Sequence, residues 1–243
     1  MEQTNQYADL SLTDPELIEI EDHFIYDQIS ADAAELDQNQ QQLIAIASLV
    51  VQRSDTMLSR QVAEALDDGL TPIQIREAVY QCAPYIGFPR AEDAAAVINQ
   101  VFMEREISLP LEDQGTVDED TRFENGLDAH ARIFGDSMKT AAEAGFENMP
   151  RSSQYLSTNC FGDYYTRNGL DLETREMLTL AILTNLGTES QLTSHIRGNA
   201  NLGRSREFIS DVIYQCLPYA GYPRILNAVN CLNQAIPLEE TAE

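Results

Sequence analysis

Positive charge is what this sequence has least of. Fifteen lysines and arginines face 40 aspartates and glutamates in 243 residues, a formal net charge of −25. No basic run offsets that field, so a phosphate backbone would be repelled and nucleic acid is excluded as a partner. Long apolar runs are missing too. No stretch of about 18 apolar residues occurs, so no membrane span is expected. The opening MEQTNQYADL has neither a basic nor an apolar segment, and export by a standard signal is not expected. The four cysteines (Cys82, Cys160, Cys216 and Cys231) include no CxxC and no zinc spacing. A chain of this size needs no disulfide scaffold, and a cytoplasmic, thiol-containing protein is the expectation. Alternating runs of β-branched residues are also absent, which leaves an all-α fold. The 43% hydrophobic share is ample for a packed core.

What is present is a duplication. YQCAPYIGFPR (Tyr80 to Arg90) returns as YQCLPYAGYPR (Tyr214 to Arg224), 134 residues later. The same spacing pairs Ala47 with Ala181, Leu58 with Leu192, Gly69 with Gly203 and Asn99 with Asn233, with no gap. A period this long means two related domains and not a solenoid. The expected boundaries are a first copy over 1–107, a solvated acidic linker over 108–120 and a second copy over 121–243.

Each copy reads as helical. Asp171 is the expected N-cap of the apolar run Met177 to Leu186, which Gly187 breaks. An amphipathic helix from Gln191 follows and ends at Gly203. Ser205 caps the next helix; in the first copy Thr71 caps its twin, with Pro72 at the first helical position. Pro84 and Pro218 fall inside helical patterns and are expected to kink or end them. The G-[FY]-P turns then open one more helix in each copy, and LDAHARIF (from Leu127) and SSQYLSTNCFGDYYTRNGL (from Ser152) supply further helices.

The ordered set RE-x-L-T-L-A-I-L, L-x-x-H-x-R-G-x-x-x-x-G and Y-x-G-[FY]-P-R resembles the carboxymuconolactone decarboxylase family, which shares its fold with alkylhydroperoxidase D. The resemblance covers most of the chain twice, most fully over Thr121 to Ile236. It implies an all-helical fold assembled in rings, hexameric for single-copy members; a two-copy chain would form a trimer as a pseudo-hexamer, or a hexamer. It also implies a small carboxylated substrate and loss of CO2 without a metal or organic cofactor.

The peroxidatic branch of that fold carries CxxC-x3-H with an upstream glutamate. On this sequence the histidine is His195 and the glutamate Glu176, but the cysteine positions hold Thr188 and Gln191, with Ser54 and Met57 in the first copy. With no sulfur to form a thiolate there, a CxxC peroxidase cycle is excluded. The first copy has Gln42 opposite Glu176, Gln61 opposite His195, Gln41 opposite Arg175 and Ala63 opposite Arg197. Glutamine bonds but does not exchange a proton near neutral pH, so the second copy is the candidate active half. His195 suits proton transfer because imidazole titrates near neutrality, and Glu176 would orient it from a neighbouring helix. Arg197, Arg175 and Tyr219 are the candidate substrate-binding residues. His195 and Arg197, two positions apart on a helix, do not share a face, so Arg197 would act across a subunit boundary or not at all. The competing readings are a structural His195, a surface-paired Glu176, core roles for Tyr85 and Tyr219, packing roles for Arg90 and Arg224, inert buried thiols at Cys82 and Cys216, and surface positions for His23 and His130. At the level of the whole chain the rivals are a redox protein using Cys82 or Cys216 and a non-catalytic oligomeric scaffold.

Overall fold

The computed structural model describes residues 10–138 and 150–238. The first nine residues, part of the segment read for a leader, lie outside that range, as does the end of the second copy. Every regular element among the described residues is helical. In the first copy these are α1 (Leu10–Thr13), α2 (Pro15–Asp22) continuing as the π-helical π1 (His23–Ser30), α3 (Gln38–Gln52), α4 (Asp55–Asp67), α5 (Pro72–Ile86) and α6 (Phe88–Glu104). The second copy has α7 (Arg122–Phe134), α8 (Pro150–Tyr155) continuing as π2 (Leu156–Tyr165), α9 (Leu172–Leu186), α10 (Glu189–Asn201), α11 (Arg206–Gln215), α12 (Leu217–Ala220) and α13 (Tyr222–Ala235). The bounds of α3 and α4 return 134 residues on as those of α9 and α10, so helix order is the same in both copies. Helix α7 has no counterpart in the first copy among the described residues.

Local chemistry sets these boundaries. Asp37, Thr71, Asp171 and Ser205 each accept a backbone N–H of the first turn that the helix leaves without a partner. Where α9 stops, Gly187 takes a left-handed conformation (φ 72°); at the equivalent place Arg53 does so at φ 58°, against the steric preference of its Cβ. Pro84 does not end its helix: α5 runs through it to Ile86, whereas the twin segment breaks at Cys216, just before Pro218, into α11 and α12.

Helices α3 and α9 are buried nearly all round, the mark of a central helix. They pack on each other, with α5 against α9 and α11 against α3, so each copy's third helix crosses into the other copy. The result is one hydrophobic core drawn from both copies, including Ile44, Ile46, Val79, Leu178, Ile182 and Ile213, all fully buried. Truncating such a residue to Ala would cost about 2–5 kcal/mol. The polar seam of this core is satisfied internally: Asn185 donates to Ser48 Oγ at 2.8 Å and accepts from Gln52 at 3.0 Å.

The acidic linker is largely exposed but not detached. Gln114 is buried, its carbonyl accepts from Asn168 N at 2.9 Å, and Thr116 Oγ1 donates to the Thr166 carbonyl at 2.8 Å. No helix among the described residues is long and apolar enough to cross a membrane.

Candidate active site

Glu176, on the first turns of α9, and His195, on α10, meet where these two helices pack. Nδ1 of His195 lies 2.7 Å from Oε1 of Glu176. The carboxylate is completely buried, whereas the imidazole side chain keeps 11% of its surface, so one edge of the ring reaches the outside. The close approach depends on Gly198, one turn beyond His195. A Cβ there would stand 2.7 Å from Glu176 Oε1 and 2.7 Å from Ile133 Cγ2. Glu64 occupies the equivalent place in the first copy.

The second carboxylate oxygen is held from behind. Tyr165, at the end of π2, places its hydroxyl 3.2 Å from Glu176 Oε2, 2.6 Å from Thr179 Oγ1 and 2.7 Å from the hydroxyl of Tyr85. Tyr85 belongs to α5 of the first copy, and its ring stands edge-on to His195 at 6.2 Å between centroids. Burial, reinforced by the nearby Glu176 carboxylate, raises both phenols well above the ordinary tyrosine range, so they are hydroxyl donors and acceptors throughout the physiological range.

A wall of rings closes the other side. Phe134 of α7 is edge-on to His195 at 5.1 Å, and His130, one turn earlier, stacks on Phe161 at 4.2 Å. His130 is not the surface residue that the sequence suggested. It is half-buried, its Nδ1 has no hydrogen-bond partner, and burial together with the facing His195 lowers its pKa to about 4. Helix α7 carries it because the helix packs tightly against π2. At that crossing a Cβ on Gly126 would fall 1.9 Å from the Ser157 carbonyl, so only glycine fits.

The candidate substrate-binding residues do not gather here. Arg175 is fully buried, and its guanidinium is held by Glu77 Oε2 at 3.0 Å, Gln81 Oε1 at 3.3 Å and the carbonyls of Arg167 and Asn168. It forms the interior of an ion cluster in which Arg167 also binds both Glu77 oxygens, so it cannot reach a substrate. Tyr219 is placed at the first copy. With Gln61, Glu64, Met57 and Tyr26 it lines a cavity of about 110 Å³. The crossing of α5, and of α11 continued by α12, explains this: each copy's tyrosine is delivered to the other copy's corner. Arg197 is exposed, on the face of α10 opposite the buried His195. Arg90 and Arg224 make only long contacts, to the Val51 carbonyl and to Gln52. His23 is exposed and pairs with Asp27 at 3.0 Å.

All four cysteines are free and buried. Burial pushes Cys160 and Cys216 up to about 12 and Cys82 higher still, so none of these three is a thiolate near neutrality. Among the described residues no group of three or more His, Cys, Asp or Glu side chains is disposed to hold a metal ion.

Sequence reasoning missed Glu77, Tyr165 and Thr179. A signal for the latter two exists in the repeat. At the 134-residue offset Tyr165 faces Ala31 and Thr179 faces Ala45, so the hydroxyls that surround Glu176 are absent around Gln42.

Comparison with known proteins agrees with this two-copy layout. The sequence profile of the Carboxymuconolactone decarboxylase family matches residues 23–100 and again 150–234. A 4-carboxymuconolactone decarboxylase of Acinetobacter baylyi is 27% identical over 108 residues, which is 44% of this chain and 81% of the relative; that relative is thus little more than half as long. An uncharacterized 15.0 kDa protein in the nqo9-nqo10 intergenic region of Paracoccus denitrificans is 32% identical over 85 residues, 34% of this chain and 63% of the relative.

Proposed function

Because the chain belongs to the carboxymuconolactone decarboxylase family, we propose that it is a carboxy-lyase for a small carboxylated lactone or a related carboxylic acid, with proton transfer by His195, oriented by Glu176. The observation that carries this reading is the contact of a fully buried carboxylate with an imidazole that keeps an outward edge.

The chemistry follows from that geometry. In a conjugated lactone carrying a carboxylate, breaking the bond between ring carbon and carboxylate releases CO2. The electron pair moves through the conjugated system onto the lactone carbonyl oxygen and gives a dienolate. A proton must then be returned to carbon. Held at Nδ1 by Glu176, His195 presents Nε2 outward, and an imidazolium there donates that proton as the dienolate collapses. Glu176 keeps the ring oriented through the 2.7 Å contact to Nδ1. The net charge of −25 opposes approach of a carboxylate, so a cation must receive it. Arg175 is committed to Glu77, and Arg197 fills this role only across a contact with a neighbouring copy of the chain. The buried thiols weigh against the redox reading.

The test is direct. Purified protein is mixed with 4-carboxymuconolactone, and ultraviolet loss of the conjugated lactone is followed with CO2 release. Turnover is expected, and His195→Gln or Glu176→Gln, each of which copies the first half, is expected to lower it by about 10²- to 10⁴-fold. A folded chain that does not exceed the uncatalysed rate removes this substrate.

A further inference from the structure

The hydroxyl of Tyr85 is supplied to the second copy by the first, and its counterpart Tyr219 has no equivalent task. Tyr165 has a single proton to give. Donating it to Glu176 Oε2, a charged acceptor at 3.2 Å, leaves the phenol oxygen to accept from Tyr85 at 2.7 Å; Thr179 Oγ1 lies 2.6 Å from the same oxygen and also 3.0 Å from the Arg175 carbonyl, to which it donates. Thr179 in turn accepts from Gln81 Nε2 at 3.2 Å, and Gln81 Oε1 accepts from the buried Arg175. Tyr85 and Gln81 lie one turn apart on α5, so one helix of the first copy feeds both neighbours of the Tyr165 hydroxyl. On the mirror side Ala31 and Ala45 replace Tyr165 and Thr179, and the corner that receives Tyr219 holds the neutral Gln42–Gln61 pair.

We propose that Tyr85 is a positioning residue for the His195–Glu176 pair, acting from the first copy through Tyr165; the inference rests on the proposed role of that pair. The tyrosines fix the buried carboxylate so that Oε1 stays on Nδ1 and the imidazole lone pair stays on Nε2, facing outward. The first copy is therefore a working part of the site and not only a support for it.

Two readouts separate this from a packing role. Carbethoxylation of His195 by diethyl pyrocarbonate, resolved by peptide mass spectrometry with exposed His23 as internal standard, reads the outward lone pair and needs no substrate. Tyr85→Phe is expected to slow it about three- to tenfold, and Tyr165→Phe by at least as much, with the His23 rate unchanged. Tyr219→Phe, at the matching position of the repeat, should leave the His195 rate as it is. With lactone as substrate, Tyr85→Phe should lower kcat with KM unchanged, because the lost hydroxyl is bonded to Tyr165. Equal His195 rates in the wild type, Tyr85→Phe and Tyr165→Phe would overturn the proposal, as would equal slowing by Tyr85→Phe and Tyr219→Phe. A wild type inert toward lactone, with the carbethoxylation pattern intact, instead removes the lactone reading and leaves the positioning role standing.

Discussion

The two corners where the copies carry their paired side chains make a natural experiment. In the first, Gln61 donates to Gln42, whose own amide donates to Asp68 at 2.6 Å. In the second, His195 meets Glu176, backed by Tyr165 and Thr179. The helices are the same, the spacing is the same, and a side-chain hydrogen bond joins α3 to α4 just as one joins α9 to α10. What differs is whether the bond contains a proton that can leave. The packing of this fold therefore needs a polar pair at that corner but not an ionisable one. On the proposed reading, Glu176 and His195 serve chemistry on a scaffold that stands without an ionisable pair.

The comparison is broken most severely at Glu77. It lies in the first copy, fully buried, yet binds Arg175 and Arg167 of the second, while its counterpart Asp211, among the described residues, accepts the Glu35 backbone N–H at 3.0 Å. Glu77→Gln takes the carboxylate from three guanidinium groups, Arg175, Arg167 and Arg76, and is expected to cost about 3–5 kcal/mol, read as a lower urea midpoint. Asp211→Asn should cost far less. A smaller effect tests whether the first corner is able to become the second. Gln42→Glu replaces a donor to Asp68 by a second carboxylate and should cost about 2–3 kcal/mol. Combining it with Gln61→His should give no added turnover, since Ala31 and Ala45 offer no hydroxyl to the new carboxylate.

The smallest effect belongs to α7, which has no counterpart in the first copy among the described residues. With His130 lowered to about 4 by burial and by His195, the unfolded chain binds that proton first as pH falls below about 6.5. The His130 contribution to stability is thus complete above pH 6.5 and is lost as pH falls toward 4. For a ring that is partly solvated the loss is about 1–2 kcal/mol. His130→Gln should flatten the stability profile in that window; an unchanged slope would show that this imidazole titrates as if free.

The helices and their limits were legible because caps and breakers act locally. Thr71, Asp171 and Ser205 each need only a neighbour three residues away, and the offset doubled the reading. The Glu176–His195 contact was legible for a related reason, since it joins consecutive helices. What could not be read was the exchange between copies. Tyr85 and Tyr219 share the context Y-Q-C-x-P-Y-x-G-[FY]-P-R, so nothing local says that one reaches Tyr165 and the other a corner lined by Gln61. Arg175 looked like a substrate ligand because an unpaired arginine near a candidate base invites that reading; its partner Glu77 lies 98 residues away in the other copy. His130 looked peripheral because the glycine pair that draws α7 against π2, Gly126 and Gly162, shows its purpose only in three dimensions.

The crossing of α5 and α11 has one more consequence. Two separate identical chains that traded such helices would be bound by symmetry to carry the same residue at both ends of every trade. Joined by the segment around Gln114, the partners are released from that bond. One end was free to become glutamine and alanine while the other assembled phenols, carboxylate and imidazole. Cutting the joint would restore two pieces, but neither would hold a whole site, because the chemistry is now divided across the cut.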